Sequence, residues 1–269
     1  MELDDATRDA ISAANTLVQL KGIIQRLPAP IVPPGKTLVL YSGLSQNSGV
    51  DLQEWATSEN YYLINFTARA EVLDSAEFTL RYRELLATEL AQGGVSDPDE
   101  LTKLINEAAG DQLYGTKPDS MWAALSIELV SSATGEILTV SPARNTTKNR
   151  VFAMNEIPAI LVSGKAISMN GVSIDELKKL QEGCSPEEGL RKVFDLMCKE
   201  SIEAIRRGER GLQLQEQLAT GEIYGSSYRD VELEADKHDP EHLKFCEEQT
   251  ERQRMRQEWA EALARALST

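Results

Sequence analysis

Apolar residues in the first part of the chain recur at Ile11, Leu17, Leu20, Ile23, Ile24 and Leu27, mostly on one stripe at helical spacing. This pattern predicts an N-terminal docking helix over 5–27. Pro28, Pro30, Pro33 and Pro34 stop it, since proline lacks the N–H that a continuing helix needs. Lys36-Thr37-Leu38-Val39-Leu40-Tyr41-Ser42 follows as a short β-favouring run between Pro-Gly and Gly43, the pattern of a buried strand ending in a turn. Open α/β sheets place their chemistry at such strand ends.

Further along, Ala76 to Ala91 reads as a helix, and Asp97-Pro98-Asp99 caps another that runs to Gly110. Lys117-Pro118-Asp119-Ser120 opens a third, which should end near Gly135. Glu136 to Val140 and Ala159 to Val162 are expected strands, with a polar loop from Pro142 to Asn149. After Gly171 the chain becomes charged, helical and poor in β-formers over Ile174 to Leu180, Pro186 to Arg207 and Pro240 to Leu267. Gly221 to Asp236 has the weakest pattern. The expected architecture is α/β: a small, mainly parallel sheet flanked by helices, with the N-terminal docking helix and a C-terminal helical extension. The composition shift places a boundary near 172, dividing an α/β domain (1–172) from the extension (173–269).

Composition narrows the partners. At 269 residues and 41% hydrophobic content, the chain is long enough to bury a core. Lys and Arg number 28 against 43 Asp and Glu, and the resulting charge of −15 repels phosphate backbones and anionic bilayers. Neither nucleic acid nor a membrane is therefore expected as a partner. Cys184, Cys198 and Cys246 are an odd set that cannot pair completely, which favours a reducing compartment. The acidic start Met1-Glu2-Leu3-Asp4-Asp5 is unlike a secretory leader, and no apolar run is of bilayer length, so a cytoplasmic location is expected.

The candidate chemistry lies between Met121 and Ile160. Trp122-Ala123-Ala124-Leu125-Ser126, the turn and strand at Gly135 to Val140, and Phe152-Ala153-Met154-Asn155-Glu156-Ile157-Pro158 follow in order. With Leu40-Tyr41-Ser42-Gly43 upstream, the set resembles the ADP-ribosyl cyclase and NAD glycohydrolase family over roughly residues 36–165. That family pairs an early aromatic-Ser segment with a Trp-x-x-x-Ser helix and a Phe-x-x-x-Glu strand. The resemblance implies NAD as substrate, with no metal or bound cofactor, because the leaving pyridinium already carries positive charge.

By the same resemblance, Glu156 binds the ribose hydroxyls and stabilises the oxocarbenium-like ribosyl cation. Trp122 and Phe152 flank the nicotinamide-ribose end, Ser126 faces the same side as Trp122 one helical turn on, and Ser42 and Ser126 hold the phosphates. Tyr41, Ser42 and Gly43 form the aromatic-Ser segment, and Gly43 permits close approach to the pyrophosphate. Some family members have Arg where Gly43 stands, which leaves Arg69 and Arg144 as candidate phosphate clamps. Val151 stands where animal members have threonine, and Arg69 stands where they carry the glutamate that restrains hydrolysis, with Glu71 a substitute if the register shifts. The implied activity is NAD glycohydrolysis to ADP-ribose and nicotinamide, with ADP-ribosyl cyclase activity minor. The alternative is a catalytically inactive nucleotide-sensing or protein-interaction module on the same scaffold, its C-terminal helices contacting a partner protein or a second copy.

Two other constellations carry less. His238, His242 and Cys246 have helical spacing for zinc, but Asp239-Pro240 leaves His238 outside the helix. Cys198 sits on a stripe with Val193, Phe194, Met197 and Ile202, the setting of an inert core thiol. No Gly-x-Gly-x-x-Gly or P-loop occurs.

Overall fold

A computed structural model of the chain describes residues 3–41, 52–140 and 151–206. The N-terminal region is two helices rather than one, α1 (Asp5–Ala13) and α2 (Leu17–Arg26). The break falls at Asn15-Thr16, where short polar side chains compete for backbone groups. Thr16 caps α2 by accepting a hydrogen bond from Gln19 N at 3.2 Å. Both helices contribute to the hydrophobic core, Ile11, Leu20, Ile23 and Ile24 being buried.

The sheet has five strands in the order β2-β1-β3-β4-β5. They are β1 (Thr37–Tyr41), β2 (Tyr61–Tyr62), β3 (Glu136–Val140), β4 (Ser168–Met169) and β5 (Val172–Ser173). All neighbours are parallel except β4 and β5, which form an antiparallel edge. The continuous burial of Leu38, Val39 and Leu40 marks β1 as a central strand covered on both faces.

Helices α3 (Leu52–Ser58), α4 (Ala68–Leu73), α5 (Ala76–Gln92), α6 (Pro98–Tyr114) and α7 (Met121–Ser132) lie between β1 and β3 in the chain. Their starts follow local chemistry: Thr67, Ser75, Asp97 and Ser120 each cap the helix that follows. A Cβ at Gly115 would lie 2.2 Å from Asp111 O, so the tight exit from α6 toward α7 needs glycine.

The segment after β3 corrects an expectation. Phe152–Glu156 is a π-turn and Ile157–Ser163 is helix α8, so neither the Phe-x-x-x-Glu segment nor 159–162 is a strand. Pro158 lies in the first turn of α8, where its missing N–H is tolerated, and the wider π-turn ahead of it absorbs the mismatch.

Helices α9 (Ile174–Lys179) and α10 (Pro186–Arg206) complete the described chain. Ile174, Leu177, Val193, Phe194, Met197 and Cys198 belong to the same core as the sheet, so packing shows no break near 172. A polar bolt adds to this. Asn170 accepts from Thr139 N at 2.8 Å and donates to Thr139 Oγ1 at 2.6 Å and to Met197 O at 3.2 Å, while Ser201 Oγ donates to Thr139 O at 2.7 Å. No helix among the described residues is long and apolar enough to cross a membrane.

Candidate functional site

The strand order locates the site. From β1 the chain passes to β2 on one side and then to β3 on the other, so the connections diverge at the C-terminal ends of β1 and β3. A doubly wound sheet opens its binding crevice at that switch point. Tyr41 ends β1 and pairs in register with Val140, which ends β3. Ser42, Gly43 and Arg144 lie outside the described residues, as do His238, His242 and Cys246.

Glu156 on the π-turn interacts with Ser126 on α7 and exerts an electrostatic influence on Tyr41 at the end of β1. Glu156 is only 8% exposed, and burial pushes its carboxyl from the ordinary 4.5 up to about 7. The Ser126 hydroxyl opposes part of that rise, although it makes no hydrogen bond of regular geometry and is itself 1% exposed. Two buried polar groups therefore face each other, with no cation among the causes of the shift. The carboxyl is held near the midpoint of its titration at neutral pH.

Neighbouring contacts tie the surrounding segments together. Asn155, beside Glu156, donates to Thr116 O at 2.8 Å and so fastens the π-turn to the α6–α7 connection. Trp122 is half-buried, and its ring lies 6.1 Å from that of Tyr114 at 45°. Tyr114 is 43% exposed and its hydroxyl donates to Leu73 O at 3.4 Å, at the end of α4. The Tyr41 hydroxyl donates to Asn65 Oδ1. Burial raises the Tyr41 phenol to about 12, with the charges of Asp74 and Glu156 adding to the rise and the Asn65 bond opposing it. Tyr41 and Glu156 are thus in electrostatic reach of each other, and the phenol stays protonated.

Two expected site residues serve the fold instead. Phe152 is 2% exposed and packs on Phe194 of α10 at 5.8 Å, so its ring is a core anchor rather than a face for nicotinamide. Arg69 is equally committed. Its Nε and Nη2 donate to Leu27 O at 3.2 and 3.1 Å, and its Nη1 pairs with Glu128 at 2.6 Å. It ties α2, α4 and α7 together and is not free to clamp a phosphate. Cys198 is fully buried among Val193, Phe194 and Met197, the expected core setting.

Asn65, Asp74 and Tyr114 carry no motif, and nothing in their sequence neighbourhood marks them. Only the return of the chain through the connection after β2 and the packing of α6 bring them to Tyr41 and Trp122. Among the described residues, no group of three or more His, Cys, Asp or Glu side chains is placed to hold a metal ion. No protein-family model, curated protein or solved structure matches the chain at a significant level.

Proposed function

We propose that the chain is an NAD glycohydrolase of the ADP-ribosyl cyclase type. The observation that carries this is the buried Glu156 carboxyl, raised to about 7 opposite Ser126 and within electrostatic reach of Tyr41 at the end of β1. In the reaction, the ribosyl C1′–N bond breaks and its electron pair passes to the pyridinium nitrogen, releasing neutral nicotinamide. The ribosyl centre left behind has oxocarbenium character. Water adds at C1′ and loses a proton, giving ADP-ribose.

Glu156 answers the charge that appears at C1′. A carboxylate in a site of low dielectric stabilises a nearby cation far more than one in water, and it is already in place when the charge develops. Burial alone favours the protonated form, whereas the cationic pyridinium of the substrate favours the carboxylate. Substrate binding therefore helps to ionise the group that cleavage requires. Trp122, backed by Tyr114, supplies a flat face for the nicotinamide end.

The commitment of Arg69 and Phe152 to the fold favours one rival, a nucleotide-sensing or protein-interaction module without turnover. Incubation of purified protein with NAD separates the two. Nicotinamide release by the wild type and its loss in Glu156→Gln support the enzyme, and saturable NAD binding without release supports the sensor.

A further inference from the structure

Asn65 sits on a 3₁₀ turn (Ile64–Phe66) that is fixed at both ends. Phe66 N donates to Leu63 O and Thr67 N to Ile64 O, each at 3.0 Å. Thr67 Oγ1 donates to Ile64 O at 2.8 Å and accepts from Ala70 N at 3.2 Å, so one hydroxyl closes the turn and caps α4. Leu63, Ile64 and Thr67 are buried, while Asn65 between them is half-exposed. The turn is a rigid bracket that presents one amide.

That amide accepts the hydrogen of the Tyr41 hydroxyl. The backbone of Tyr41 is set by its pairing with Val140, and the hydrogen bond to Asn65 sets the remaining freedom of the side chain, the position of its ring and oxygen. Burial and the nearby charges of Asp74 and Glu156 keep the phenol protonated across the physiological range. With its hydrogen engaged by Asn65, the phenol oxygen still has lone-pair capacity to accept from a ligand.

We propose that Asn65 is a positioning residue, holding the Tyr41 oxygen as a hydrogen-bond acceptor for the ribose hydroxyls of the bound dinucleotide beside Glu156. This rests on the NAD glycohydrolase reading and extends it to a residue outside the motif pattern. The roles are distinct: Tyr41 touches the substrate, and Asn65 acts only through Tyr41.

Steady-state kinetics of nicotinamide release and calorimetric NAD binding test it on the full chain, with thermal unfolding of each variant measured alongside. Tyr41→Phe and Asn65→Leu should each raise KM about tenfold with kcat within about threefold of wild type, and the double variant should be no worse than either alone. Asn65→Asp retains an acceptor for the phenol and should return KM to within about threefold of wild type. Wild-type KM in Tyr41→Phe, or losses that add in the double variant, would overturn the inference. So would a fall in melting temperature in Asn65→Leu with KM unchanged, the mark of a purely structural role. Should Asn65→Leu fail to fold, Tyr41→Phe, which removes one oxygen, still decides. A wild type that neither binds nor cleaves NAD overturns the glycohydrolase reading and this inference together. A wild type that cleaves NAD while Asn65→Leu matches it overturns the inference alone.

Discussion

Ser126 on α7 and Glu156 on the π-turn face each other as buried polar groups, and the hydroxyl only partly offsets the burial that raises the carboxyl. Such a pair costs the fold stability, which is common where a site is built for chemistry. Glu156→Gln should lower nicotinamide release by about 100-fold or more while leaving much of the NAD affinity, because the carboxylate acts on charge that appears in the transition state. Comparison of kcat and calorimetric Kd for the two proteins checks this, and near wild-type kcat in a folded variant would remove Glu156 from the mechanism.

The same carboxyl links stability to pH. Its folded-state pKa is raised, so the folded protein holds a proton that the unfolded chain releases, and stability falls as pH rises from 4.5 to about 7. The loss is on the order of 3 kcal/mol once the group is fully ionised. Glu156→Gln should therefore unfold at a higher temperature than wild type at pH 8, with the difference shrinking toward pH 5. Thermal scans at both pH values decide it, and an unchanged difference would mean the group is not raised.

Activity should run the other way. If the ionised form is required, kcat/KM falls as pH drops through about 7, the value of the free protein. The limb in kcat should lie lower, because the bound pyridinium favours the carboxylate. Coincident limbs in a pH series would show that substrate charge does not reach Glu156.

Trp122→Ala should raise KM up to about tenfold through loss of a stacking face. It should also cost about 2 kcal/mol of stability, because the indole is half-buried against the core beside Tyr114. Tyr114→Phe, which keeps the ring, should change neither by much. A melting point that falls in Trp122→Ala with the activity of the folded fraction intact would make the indole an anchor only.

Product choice follows from Arg69. On the proposed cyclase-type reading it replaces the glutamate that restrains hydrolysis, and its guanidinium is held by Leu27 O and Glu128. With no carboxylate supplied at that position, water should capture the ribosyl cation first, so ADP-ribose should dominate. Chromatography of the products tests this, and a mainly cyclic product would point to another acid, Glu71 or Asp74.

Much of the fold was legible because its signals are local. Strand β1 stood out between Pro-Gly and Gly43, and α5, α6 and α7 began where Ser75, Asp97 and Ser120 could cap them. The expected strand at 159–162 proved helical because a short apolar run rich in β-formers does not distinguish a strand from a buried helix. The π-turn at Phe152–Glu156 leaves no sequence mark. Glu156, Ser126, Trp122 and Tyr41 were singled out by the family resemblance, whose motifs are local in sequence. Asn65, Asp74 and Tyr114 could not, because their role depends on which helix or turn packs against which, a long-range property. Phe152 and Arg69 show the converse, since spacing marked them and packing gave them other work.

The Asn170 bolt bears on how the protein is made. Thr139 lies one residue from the end of β3, and its backbone and hydroxyl are fastened by a residue beyond β4 and by Ser201 on α10. A nascent chain that has emerged only through residue 172 carries every motif residue of the site but lacks the helix that locks the strand leading into it. The fastening of β3 is therefore completed late in synthesis, after α10 has left the ribosome. Premature termination before Ser201 yields fragments that carry the site residues without the fastening.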